Sequence, residues 1–89
     1  MPGDAARQRP SFVDALVDLT PGVAGGAAHI ARTRIPVWTL EAYRRGGWSD
    51  QRLLDSFPAL RPVDLMAAFA YADDHKDEID REIHENESA

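Results

Sequence analysis

The sequence predicts a mainly α domain: a helix-turn-helix-like core of three helices, two short strands ahead of it, and an extended C-terminal helix. Three observations carry this. Pro36 and Pro62 stand where helices begin, a position at which proline's missing N–H costs nothing. Apolar residues then follow at helical spacing, first Val37, Leu40 and Tyr43, next Leu53, Leu54 and Phe57, then Leu65, Met66, Phe69 and Ala72. The segments between them are short, and Pro58-Ala59-Leu60-Arg61 has the length of a helix-turn-helix connection.

Residues 1–10 are small, polar and flanked by proline, and read as a disordered tail ahead of one domain over 11–85, with a second short tail over 86–89. Ser11 and Asp14 have the spacing of a capping box, so Phe12 to Leu19 is predicted as a short helix, with a strand as the alternative. Thr20-Pro21-Gly22 ends that element, and Gly25-Gly26 is a second flexible point. His29-Ile30-Ala31 and Arg34-Ile35 read as two short strands with a tight reversal between them; strands of this length need packing to persist. The helix opened by Pro36 stops at Gly46, and Arg44 and Arg45 in its last turn complement the helix dipole. Ser49 is an N-cap with Asp50 behind it, Trp48 and Leu53 have the spacing of a hydrophobic staple, and Pro58 closes that helix. The helix opened by Pro62, if continuous to His84, is about 23 residues or roughly 34 Å long at ~1.5 Å per residue. Its second half is too polar for a core and is expected to project, fray or pack on another chain.

With 89 residues there is room for one domain. Chains this short bury only about 60–65% of their unfolded surface, so a homodimer is expected as added stabilisation. The chain has no cysteine, which removes disulfides and thiolate metal sites. No secretory signal pattern and no apolar run of membrane-spanning length is present, so a cytoplasmic location and no membrane partner are expected. His29, His75 and His84 are scattered, so no metal and no other cofactor is expected, and no catalytic constellation stands out. The chain is therefore expected to be a binding module rather than an enzyme.

The net charge of −5 is unevenly spread. From His29 to Arg61 the chain carries Arg32, Arg34, Arg44, Arg45, Arg52 and Arg61 against Glu41, Asp50 and Asp55. Beyond Pro62 it carries Lys76 and Arg81 against nine acids, most of them after Ala72. Such asymmetry suits either two interaction surfaces or two solvated faces. In the first case Arg32, Arg34, Arg44, Arg45 and Arg61 are the candidates for phosphate contacts with DNA. Asp73, Asp77 and Asp80 with Ile79 and Ile83 are the candidates for a basic protein partner, the isoleucines as apolar anchor. Between Pro62 and Asp74 there is no Arg, Lys, Asn or Gln to read base edges, which favours a plain packing motif over a base-reading helix. Trp38, Tyr43 and Trp48 fit a core better than a stacking platform for bases.

Gly25-Gly26, Ile30 and Thr33-Arg34-Ile35-Pro36-Val37 are followed in order by Gly47, Ser49, Leu53-Leu54, Phe57-Pro58, Leu60, Asp64-Leu65, Ala67-Ala68 and Ala70-Tyr71-Ala72. This ordered set resembles the pattern of domain-of-unknown-function family 433. The resemblance implies a homeodomain-like helix-turn-helix with two short strands. It further implies the antitoxin of a type II toxin-antitoxin pair, which binds a PIN-like ribonuclease toxin and, as a dimer, operator DNA. The alternative is a homo-oligomeric interaction or structural module with no nucleic-acid role. Two departures stand out. The family's proline and glycine fall at Ala28 and Arg32, and a glycine there often supplies a positive φ. Arg61 replaces the usual hydroxyl cap, which predicts a weakened start to the helix after it.

Overall fold

The computed structural model describes residues 12–19 and 24–87. The predicted leading tail, the Ser11 cap, the Thr20-Pro21-Gly22 turn and the last two residues lie outside this range. In chain order the elements are α1 (Phe12–Leu16), β1 (Val17–Asp18), a 3₁₀ turn (Ala24–Gly26), β2 (His29–Ile30), α2 (Val37–Arg45), α3 (Asp50–Ser56), α4 (Pro62–Asp74) and α5 (Lys76–Glu87). The chain is mainly helical, with one antiparallel pair of very short strands.

The helix starts follow their local chemistry. Ser49 accepts the Arg52 N–H at 3.1 Å, as an N-cap hydroxyl should. Pro62 is the first residue of α4, while Pro36 sits one position earlier than predicted, as the extended N-cap of α2. α2 stops at Gly46 as predicted, but the left-handed conformation falls one residue later. Gly46 has φ −80°, and it is Gly47, at φ +92°, that takes the left-handed conformation glycine permits.

The strands are a correction to the sequence reading. β2 pairs with Val17–Asp18, in register Val17 to Ile30 and Asp18 to His29, while on its other side the predicted pairing is reduced to a single antiparallel bridge from His29 to Pro36. Phe12 to Leu19 therefore divides into a five-residue helix and a strand. The reversal after β2 is real but makes no second strand. Ile30 N–H donates to Ile35 O at 2.9 Å, and the Thr33 hydroxyl closes the turn by donating to Ile30 O at 2.8 Å and accepting from Ile35 N–H at 3.0 Å.

The long helix is a second correction. It breaks at His75 (φ −125°, ψ 45°) into α4 and α5. His75 N–H donates to Tyr71 O at 2.9 Å and its ring stacks on Tyr71 at 3.9 Å, so the break is itself a packed feature. The bend folds α5 back onto α2. Ile79 and Ile83 are 0% and 7% exposed, inside a core shared with Ile30, Val37, Leu40, Leu53, Leu60, Leu65 and Ala68. α5 neither projects nor frays, and it runs to Glu87, past the expected end of the domain. Burying a side chain of this size stabilises by about 1.5–3 kcal/mol, enough to hold a helix that is otherwise charged.

The aromatic residues pack as predicted. Trp38, Tyr43 and Trp48 are half-buried against the core, Tyr43 and Trp48 with ring centres 4.3 Å apart.

Candidate functional site

Each predicted arginine must satisfy its charge, and a structure can do so with water, a ligand or its own carboxylates. Here the chain's own carboxylates take four of the five. The first group forms around Asp64, the third residue of α4, whose side chain is fully buried. Its Oδ2 accepts the Arg61 N–H at 2.8 Å, the reach-back half of a capping box. The Arg61 guanidinium lies 3.1 and 3.3 Å from the two carboxylate oxygens, and Arg32 Nη2 lies 3.3 Å from both. Burial alone would raise the Asp64 carboxyl. The Arg61 side chain and amide, then Arg32, overcome it and hold the group below the ordinary carboxylate range. The start of α4 is thus capped by an acid from inside the helix, where a weakened start was predicted from the missing hydroxyl.

Arg32 reaches Asp64 from an unusual backbone. Its φ is +71°, the left-handed region in which a non-glycine residue costs roughly 1–2 kcal/mol. The positive φ associated with a glycine at this position is therefore kept without the glycine, and the turn geometry survives.

The second group forms on α2. Glu41 is buried and accepts Arg44 Nε at 2.6 Å and Arg45 Nε at 2.9 Å, the i,i+3 and i,i+4 partners on its own helix. Arg44 continues to Asp73 at 3.0 Å and stacks over Phe69 at 4.2 Å. Arg45 continues to Asp80 at 2.6 Å, which also accepts Lys76 at 2.8 Å. These bonds strap α2 to the end of α4 and to α5. Arg34 is exposed and makes no ion pair among the described residues. Arg52, absent from the predicted set, is exposed with its guanidinium 3.7 Å from the centre of the Trp48 ring.

The predicted partner residues also divide. Asp73 and Asp80 are ion-paired as above, and Ile79 and Ile83 are core residues, so neither isoleucine is available as a surface anchor. Asp77 is exposed and, like Asp74 and Glu87, makes no ion pair among the described residues. Glu82 adds to this acidity from a recess of about 440 Å³ that it lines with Trp38, Glu85 and Asn86. Its Oε1 is buried with no hydrogen-bond partner among the described residues, and burial, then Glu78, push its carboxyl up. Tyr71 donates its hydroxyl to Glu78 at 2.7 Å.

Sequence reasoning missed the Asp64 cluster, although Arg61 and Asp64 lie three apart and Asp64 interrupts an apolar helix. It also missed the outer face of α4, where Met66 is 62% exposed and Val63 37%. Among the described residues no group of three or more His, Asp or Glu could hold a metal ion, and no helix is long and apolar enough to cross a membrane.

Fold and surface thus define a small helical domain whose strongest polar features are ion pairs that tie its own helices together. The chain belongs to the family described as protein of unknown function, DUF433, whose model matches residues 17–72, more than half of its length. It is similar to the crystal structure of a DUF433 member protein from Anabaena variabilis, at 44% identity and a TM-score of 0.74, over 93% of this chain and 76% of that one. No curated protein matches it.

Proposed function

We propose that the chain is the antitoxin of a type II toxin-antitoxin pair and neutralises a PIN-like ribonuclease toxin by binding it, with operator DNA a secondary ligand. The single observation that supports a protein partner over DNA is the unequal use of charge. Four of the five candidate arginines are held by internal carboxylates, whereas Asp74, Asp77 and Glu87 are exposed without an ion pair among the described residues. A ribonuclease must attract phosphate, so its substrate face is basic, and an acidic helix surface is complementary to it. In this reading α2 to α4 form the homeodomain-like helix-turn-helix, and Arg34 and Arg52 supply what phosphate contact the chain makes.

The experiment is a search of the genomic neighbourhood for a PIN-like ribonuclease gene, followed by stopped-flow association with its product; absence of such a gene would itself count against the reading. Truncation after His75 is unsuitable, because it removes two core isoleucines. The double variant Asp77→Lys, Glu87→Lys instead reverses two of the three acids that carry the reading and leaves Ile79 and Ile83 in place. The association rate is expected to fall about tenfold at low salt and to lose most of its salt dependence, since steering acts on encounter. An unchanged rate and unchanged inhibition of the ribonuclease would overturn the reading.

A further inference from the structure

Val63, Met66, Ala70 and Asp73 follow one another at intervals of three, four and three residues, which places them in one line along α4. This line faces away from the core: Met66 is the most exposed large apolar side chain among the described residues, and Pro62 and Phe69 flank it. It is a coiled-coil-like seam: Arg44 of α2 reaches over its far end, stacking on Phe69 and pairing with Asp73, while Val63 and Met66 stand exposed among the described residues. The two ends of the seam carry opposite charge. At its start, two arginines, Arg32 and Arg61, share the single carboxylate of Asp64, leaving one positive charge in excess. Just past its end stand the exposed carboxylates of Asp74 and Asp77, which make no ion pair among the described residues.

We infer that a second copy of this chain covers the outer face of α4, with the two α4 helices antiparallel about a twofold axis near Met66. A twofold contact must be self-complementary, each residue meeting a partner that meets it in return. Antiparallel pairing satisfies this, because residues whose numbers sum to about 132–135 face each other. Met66 meets its own copy, Val63 meets the partner's Ala70 and Phe69, and the Arg61 end meets the partner's Asp74, Asp73 being held by Arg44 of its own chain. A parallel pair would set arginines against arginines. A uniformly basic or uniformly acidic partner would match one end of the seam and clash with the other. Ala70 opposite Val63 leaves room for close approach, and antiparallel helix dipoles add to the fit. The interface is distinct from the acidic face of α5 and independent of the toxin reading. It also places the dimer on α4, with Ile79 and Ile83 left to the core.

The seam is short, about 20 Å for 13 residues at ~1.5 Å each. A contact of this size falls below the ~1,200 Å² of a stable complex, so the dimer should be weak and concentration-dependent. Sedimentation of the full chain from 5 µM to 1 mM tests this. The expected result is a monomer–dimer equilibrium that Met66→Glu weakens by roughly 30-fold or more and Asp74→Lys by roughly fivefold, the latter only at low salt. Helix content and melting temperature report that both variants still fold. Orientation is read by oxidation, which is clean in a chain without cysteine. Met66→Cys should link to its own copy, and Asp74→Cys should not, since a disulfide needs Cβ atoms about 4 Å apart. A monomer throughout, a dimer indifferent to Met66→Glu, or efficient self-linking of Asp74→Cys would each overturn the inference. Ribonuclease association should be unchanged by Met66→Glu; if that variant instead abolishes it in a chain that stays monomeric, the seam belongs to the toxin.

Discussion

Helices α4 and α5 adjoin at His75 and distribute their side chains in opposite ways. α4 is apolar nearly all round, yet it buries an aspartate completely and leaves a methionine in water. α5 is mostly charged, yet both of its isoleucines are in the core. Composition alone would assign burial to α4 and solvent to α5. What decides is how many elements surround each helix. α4 packs against α1, α2, α3 and both strands and still has a face to spare, whereas α5 offers a two-residue stripe that α2 covers. A helix that is apolar all round has either a neighbour on every side or a missing one.

The sharpest way to break this comparison is to remove the stripe. Ile79→Ala should cost about 3–4 kcal/mol, as deletions from a fully packed core do, and lower the melting temperature by more than 10 °C in calorimetry. A loss below about 1 kcal/mol would mean that α5 does not share the core. Met66→Ala, on the outer face of the more apolar α4, should by contrast change stability by less than about 0.5 kcal/mol at a concentration where the chain is monomeric.

Next in size is the buried acid. Asp64→Asn keeps the shape but removes the charge that Arg61 and Arg32 share, and should cost about 2 kcal/mol at neutral pH. The sign with pH follows from the lowered carboxyl. A depressed folded-state value contributes stability above the ordinary Asp value near 3.9, and that stability is lost as pH falls through the lower folded value. The difference between native chain and variant should therefore be full at pH 6 and shrink below pH 4.

Glu82 runs the other way. Its carboxyl is raised, so the folded chain favours the protonated form, and stability falls as pH rises from the ordinary Glu value through the raised one. Glu82→Gln should melt higher than the native chain at pH 7 by a small margin, and the margin should vanish at pH 4. The smallest effect is expected at Arg32→Gly. It relieves a left-handed arginine but gives up an ion pair to Asp64 and adds backbone freedom to the unfolded chain, so the net change should lie within about 0.5 kcal/mol of zero by denaturant titration.

What could be read from the sequence was local. Ser49 as a cap and Pro62 as a helix start depend on backbone hydrogen bonds within four residues, and both are where the pattern put them. The i,i+3 and i,i+4 spacing of Glu41 with Arg44 and Arg45 was equally legible, although those arginines were assigned to phosphate. What escaped was non-local. β1 and β2 pair across the ten residues 19–28, and no periodicity in Arg34-Ile35 distinguishes a strand from a turn arm. The break at His75 has neither glycine nor proline to announce it. It arises because bending there lets Ile79 and Ile83 reach the core, a gain that exists only once α2 is in place.

The bend at His75 also sets how the molecule opens. α5 is held by two isoleucines, by the partly exposed Arg45–Asp80 pair and by the hydrogen bond from Tyr71 to Glu78, a small set of ties that should let it detach as a unit while the strands and α1 to α4 stay assembled. Its amides, from Ile79 onward, should exchange with solvent through this partial opening, ahead of those in the middle of α4, and sooner in high salt. Detachment bares the trench that Ile79 and Ile83 fill and presents an unfolded segment to proteases. Survival of the chain in a protease-rich environment is then governed by the closing of one hinge, and a molecule of ordinary global stability can still be short-lived.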